Sequence, residues 1–263
     1  MKTILKVEMK RGLCSKGMVA SLVVGMSIIL WYQFTYVADK REIMNCYCLE
    51  SLFYNWIGAS CAPMQSYLFF FILPLLAVMP AGATFFDDKK VGYDRNIFIR
   101  NKKREYLYAK YIVTFVSAGL AVILPLILSL ILTAMRFPAL KPEPIMSLGP
   151  DSTSMGFELF YTHPFLHTIM FLLIDFVFAG GFAGIALLAS FLSEYKFVIL
   201  IAPFVCYYFI FSLDSLFGGK DISPNYFLIP GFNKVYWWEY VVGFIILLAI
   251  GGLFIWKGKR YES

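Results

Sequence analysis

Long runs without charge alternate along this chain with short runs that hold most of its charged residues. The uncharged runs lack the period-two alternation of barrel strands, and most approach the ~20 residues a helix needs to cross a ~30 Å hydrocarbon core. A helix satisfies its own backbone away from water, which an open strand cannot do. The pattern predicts an all-α polytopic membrane protein with six transmembrane helices: about Gly17–Val37, Tyr67–Phe86, Tyr111–Met135, Pro164–Leu192, Phe197–Leu213 and Tyr240–Trp256. Trp31, Tyr32, Tyr67, Tyr111, Trp237, Trp238 and Trp256 fall at the predicted interfaces, where amphipathic rings prefer to lie.

The tail before the first span has a helical period of its own. Met1, Leu5, Met9 and Leu13 recur every four residues beside a row of Lys2, Lys6 and Lys10, a pattern that predicts a helix lying at the membrane interface. The remaining polar segments are too short to bury a core. Residues 1–263 therefore read as a single transmembrane domain: an interfacial helix over 1–16, a six-span bundle over 17–256 and a tail over 257–263. The tail's length and the lack of a small-x-small site argue against a cleaved signal peptide.

Composition agrees: 60% of the residues are hydrophobic and only 15% charged, well away from soluble-domain usage. The basic residues divide unevenly. Seventeen flank the predicted spans on one side and six on the other, so the positive-inside bias predicts cytoplasmic termini. The expected location is the bacterial inner membrane, as a multi-pass protein; the lack of an N-x-S/T sequon is compatible with that source. The net charge of +6 thus reflects topology, and no separate basic domain suggests nucleic acid as a partner.

The segment after the second span is the most informative. It begins with Asp87-Asp88, breaks at Gly92-Tyr93, and carries an apolar triplet, Ile97-Phe98-Ile99, among Arg95, Arg100 and Arg104. An apolar knob with a polar rim is what a docking surface needs. An acidic pair at the end of a second span, then Gly-Tyr, scattered Arg and the run Arg104-x-Tyr106-x-x-x-Lys110 entering a third span, resembles the ABC-2 family of ABC-transporter permeases, type V-like exporters. The six-span layout and the amphipathic tail are similar to that family over nearly the whole chain. The resemblance implies a cytoplasmic coupling helix here, docking on a separate ATP-hydrolysing subunit through Gly92, Tyr93, Arg95, Ile97, Phe98, Ile99, Arg100 and Arg104. It also implies a second permease subunit, the same chain or a related one, and re-entrant outer helices between Asp214 and Glu239.

Other residue clusters add little chemistry. No G-x-x-x-x-G-K-[ST] phosphate loop is present; the nearest run, Gly218-Gly219-Lys220, lacks both the first glycine and the final hydroxyl. The expectation is that the chain is not an enzyme and binds no cofactor, with ATP and Mg held by the partner subunit. His163 and His167 share a helix face, but two imidazoles without a third ligand make a poor metal site. Cys61 could form a disulfide with Cys46 or Cys48 on the outer side. Asp175 is the sole acid well inside a predicted span, so it faces either a pathway or subunit seam, or a hydrogen-bonded bundle interior. Gly180 and Gly184 have the G-x-x-x-G spacing of close helix contacts, within the chain or at a dimer seam.

The expected function is a permease subunit of an ATP-driven exporter for a peptide, lipid-like or hydrophobic drug substrate. An integral-membrane enzyme acting on lipid or peptide substrates, and an assembly or immunity protein without transport activity, are the alternatives from other classes.

Overall fold

The computed structural model describes residues 2–38, 51–59, 64–100, 102–143, 149–150, 152, 154–216, 223–229 and 236–261, the side chains of residues 2, 95, 100, 215 and 225 aside. Every regular element among them is helical. In chain order these are α1 Lys2–Leu13, α2 Lys16–Tyr32 with a π-helical continuation Gln33–Val37, α3 Leu52–Asn55, α4 Met64–Val78, α5 Thr84–Val91, α6 Tyr93–Arg100, α7 Lys103–Ala134, α8 Phe157–Thr162, α9 Pro164–Ala189, α10 Lys196–Leu216, α11 Pro224–Phe227 and α12 Trp237–Arg260.

Among the described residues, five helices are long and apolar enough to cross a membrane: Lys16–Val37, Lys103–Ala134, Pro164–Ala189, Lys196–Asp214 and Trp237–Arg260. The chain is a polytopic helical membrane protein. The expected second span needs correction. Its helix, α4, is 15 residues long, about 22 Å, and stops at Val78 instead of running to Phe86. Ser15 caps α2 by accepting from the Met18 N–H and donates its hydroxyl to the Pro80 carbonyl at 2.8 Å. A Cβ on Gly17 would come within 1.9 Å of the Met79 carbonyl oxygen, so the start of α2 lies directly on the turn that ends α4. Phe85 and Phe86, placed by the sequence at the end of the second span, belong to α5 and are buried by protein.

α9 is the central helix, packed against α7, α10, α12 and α4. Its glycines set the spacing. A Cβ on Gly180 would meet the Phe115 ring of α7 at 2.5 Å, and one on Gly181 would meet Leu247 of α12 at 2.4 Å. Gly184 faces Tyr111 of α7 at 3.4 Å. Gly180 and Gly184 thus make contacts within the chain, where small residues let backbones approach.

Both ends of the described chain lie at one end of the bundle. Glu8 of α1 pairs with Lys110 near the start of α7, and Lys103 donates to the Tyr261 carbonyl just beyond α12. Lys196 at the start of α10 pairs with Asp87 of α5 at the same end. At the opposite end, Gln65 at the start of α4 donates to Thr35 in the π-helical stretch at 2.8 Å. Nearby, α3 is pinned beside the chain that leaves α7: the Leu52 N–H donates to the Pro138 carbonyl, and the Ser51 hydroxyl to the Leu140 carbonyl.

Candidate functional site

α5 and α6 form a helix–break–helix corner at the basic end of the bundle. α5 ends because Gly92 adopts φ +72°, and its N–H returns to the Asp88 and Lys89 carbonyls. A left-handed cap of this kind favours glycine, which has no Cβ to clash. No atom lies within 4 Å of a Cβ built there, so the requirement is conformational and not spatial. α6 then folds back over the start of α7.

Two aromatic contacts hold α6 down. The Tyr93 ring lies 4.9 Å from the Arg11 guanidinium of α1. The Phe98 ring meets the Tyr106 ring edge-on at 5.7 Å, with the Lys103 ammonium 5.5 Å from its centroid. Ile97 and Phe98 are half-buried against a cluster that includes Phe85, Tyr106 and Leu107. The expected three-residue knob therefore needs correction. Only Ile99 projects freely, at 83% exposure, and it is joined by Val91 at 82%, which the pattern reading had not singled out. Phe98 is an internal anchor. Arg104 is exposed, and the side chains of Arg95 and Arg100 lie outside the described set.

Beneath this corner sits a buried ion cluster that joins three elements. Glu8 and Arg11 come from α1, Asp88 from α5, and Lys110 and Tyr106 from α7. The Lys110 ammonium lies 2.6 Å from Glu8 Oε2 and 2.6 Å from Asp88 Oδ2. The Arg11 guanidinium forks onto Asp88 at 2.6 and 3.3 Å and also donates to Glu8 at 2.8 Å. The Tyr106 hydroxyl donates to Asp88 at 2.6 Å. Glu8, Asp88 and Lys110 are each no more than 2% exposed. Two acids face two bases, so the cluster is neutral as a unit, which is how ions remain charged in a low-dielectric interior.

Burial alone would raise the Asp88 carboxyl. The Arg11 hydrogen bond, the Lys110 charge and the Tyr106 hydroxyl together outweigh it and hold Asp88 below the usual carboxylate range. For Arg11 the order of effects is similar: burial lowers the guanidinium, and Asp88 and Glu8 more than reverse it.

The sequence sets the pair Asp87-Asp88 in one motif with Tyr106 and Lys110, and Asp88 is the acid that meets the other two. Asp87 is about half exposed and pairs at the surface with Lys196 at 2.6 Å. Glu8 was missed altogether. Its signal was available, since it is the single acid of the first sixteen residues and sits four residues from both Ile4 and Gly12. A Cβ on Gly12 would meet Val113 of α7 at 2.9 Å, so that face of α1 packs on protein while Lys6 and Lys10 remain exposed.

Asp175 lies deep in the bundle at 1% exposure, and its Oδ1 has no hydrogen-bond partner among the described residues. Tyr207 of α10 and Tyr240 of α12 are its electrostatic neighbours, and their hydroxyls donate to the Phe70 and Phe227 carbonyls at 2.9 and 2.6 Å. The two histidines part company. His167 is buried between the Phe160 and Phe171 rings, whereas His163 is exposed. No group of three or more His, Cys, Asp or Glu side chains that could hold a metal ion forms among the described residues. Cys46, Cys48, Cys61 and the run Gly218-Gly219-Lys220 lie outside those residues.

No family model matches the chain, and neither a curated protein nor a solved structure matches it.

Proposed function

We propose that this chain is the membrane-spanning permease subunit of an ATP-driven ABC-2-type exporter, and that α5–α6 is the corner on which a separate ATPase subunit docks. The single observation that carries the reading is the construction of that corner. Two exposed apolar residues, Val91 at the end of α5 and Ile99 on α6, mark its outer surface, and the inner face of α6 is tied through Tyr93–Arg11 and Phe98–Tyr106 to the buried ion cluster of α1, α5 and α7. A helix that moves with a partner must transmit force through a stiff contact to a membrane helix, and buried, fully paired charges supply one.

Six crossings are part of the proposal. Both ends of the described chain share one end of the bundle, so an odd number of crossings would leave the chain on the wrong side. α4 supplies the sixth: it joins the Thr35 end to the Ser15 end and packs against α2, α7, α9 and α10. Its shortfall in length is small enough for a bundle-buried helix to meet by local bilayer thinning. The shared end carries the denser basic charge, which makes it cytoplasmic by the positive-inside bias, in a bacterial inner membrane. α11, with Phe227 and the two residues after it, Leu228 and Ile229, buried against the core, is the reading's re-entrant outer helix.

On this reading the ATPase subunits bind ATP and Mg, a second permease subunit completes the membrane pathway, and the cargo is a peptide, lipid-like molecule or hydrophobic drug. Affinity purification from native membranes tests it. A nucleotide-binding ATPase should copurify with the chain, and vanadate-sensitive ATP hydrolysis should be present in the eluate and absent from the chain alone.

A further inference from the structure

α10 and α12 both pack on α9 but scarcely meet each other, which leaves a slot between them. The slot has a volume of about 350 Å³. Phe178, Phe182 and Tyr207 line its floor, while Ile210, Val242 and Ile246 stand on its rims, each at least 40% exposed. Tyr207 contributes only the apolar part of its ring, because its hydroxyl is spent on the Phe70 carbonyl.

The depth of the slot identifies what fills it. It follows α12 from Trp238 to Ile250, thirteen residues, or about 18 Å from first to last at the helical rise. Trp238 and Trp256, the aromatic markers at the two ends of α12, are about 27 Å apart on the same measure, close to a hydrocarbon core. The slot thus begins at one interface and runs a little past the bilayer midplane, the reach of a single leaflet. A second helix would continue along α12 to Trp256, and a compact solute would not need the length. Water is a poor occupant, since a buried water needs two to four polar partners and the walls are almost entirely apolar.

We infer that the slot between α10 and α12 is a binding site for one acyl chain of a phospholipid from the leaflet at the Trp238 end. The chain enters sideways through the rims and lies along Phe178 and Phe182, with its headgroup level with Trp238. The site depends on the helices lying in a bilayer and not on the ATPase reading, so the two stand or fall separately.

The test uses the full chain in nanodiscs that contain a phosphatidylglycerol with a photoreactive diazirine midway along one acyl chain. After irradiation, adducts are mapped by peptide mass spectrometry. They should concentrate on the slot residues Cys206, Ile210 and Ile246, well above Val23 and Val24 of α2, which are comparably exposed. Ile246→Trp should fill the slot and remove those adducts. Leu248→Trp, also on an exposed position of α12, should leave them in place and serves as the control for folding. Adducts spread equally over α2 and α12, or unchanged in Ile246→Trp, would mean ordinary annular lipid and overturn the site. Slot residues that cross-link to another protein chain instead of lipid would overturn it as well.

Discussion

The Arg11 guanidinium of the N-terminal helix reaches Asp88, 77 residues further along the chain, at 2.6 Å. Asp88 is in turn 2.6 Å from the Lys110 ammonium. One carboxylate therefore ties α1 to the longest helix of the bundle, and the cost of burying it is offset only while both cations are present.

Neutralising Asp88 should consequently be severe. Asp88→Asn leaves Lys110 and Arg11 short of an anion in a buried site, a loss of about 3 kcal/mol or more. Asp87→Asn removes only a half-exposed pair, worth less than about 1 kcal/mol. Thermal unfolding of the two variants in detergent should show a clear fall in Tm for the first and little change for the second. Equal shifts would contradict the burial of the cluster.

The same carboxylate fixes the sign of the acid response. Asp88 is held below the usual carboxylate range, so its stabilising contribution is complete above the unfolded value of about 3.9 and is lost as pH falls from there toward the folded value. Melting temperatures should be flat in this contribution from about pH 5 to 8 and should drop in stronger acid. Asp88→Asn should flatten that acid limb.

Glycines along the spans should respond unequally. Gly180→Ala pushes a methyl into the Phe115 ring and should cost about 1–3 kcal/mol through overpacking. Gly252 of α12 has nothing within 4 Å of a Cβ, so Gly252→Ala should be neutral or slightly stabilising through helix propensity. Detergent melts of the two single variants measure the contrast directly.

Topology gives an independent check. Lys102→Cys, at the start of α7, should resist a membrane-impermeant maleimide in intact cells and react after permeabilisation. Labelling from outside would remove the cytoplasmic assignment of the α5–α6 corner.

The architecture was legible in the sequence because burial in lipid is a blunt demand: five of the six expected spans coincide with helices that differ from them mainly at the ends. The exception, α4, shows what hydropathy leaves out. Phe85 and Phe86 are as apolar as a span requires, but Phe85 packs among Tyr106, Leu187 and Phe254, and Phe86 among Val78, Ala186 and Ile199. The ion cluster was only half legible. Lys110 and Tyr106 stood in a recognisable run, yet choosing Asp88 over Asp87 depends on which face of α5 meets α7, and one residue on a helix turns the side chain by about 100°. The apolar triplet misled for the opposite reason. Ile97, Phe98 and Ile99 look equivalent in a charged loop, but on a helix they point in different directions, and of the three only Ile99 is left exposed.

The central claim, that Ile99 stands on a docking surface while Phe98 supports it from within, is tested most directly by copurification of ATPase with single variants. Ile99→Asp should leave the melting temperature of the chain unchanged and abolish recovery of the ATPase. Phe98→Ala should lower the melting temperature through its lost packing on Tyr106. If Ile99→Asp recovers as much ATPase as the unaltered chain, or if no ATPase accompanies either protein, the docking assignment and the permease reading built on it are contradicted.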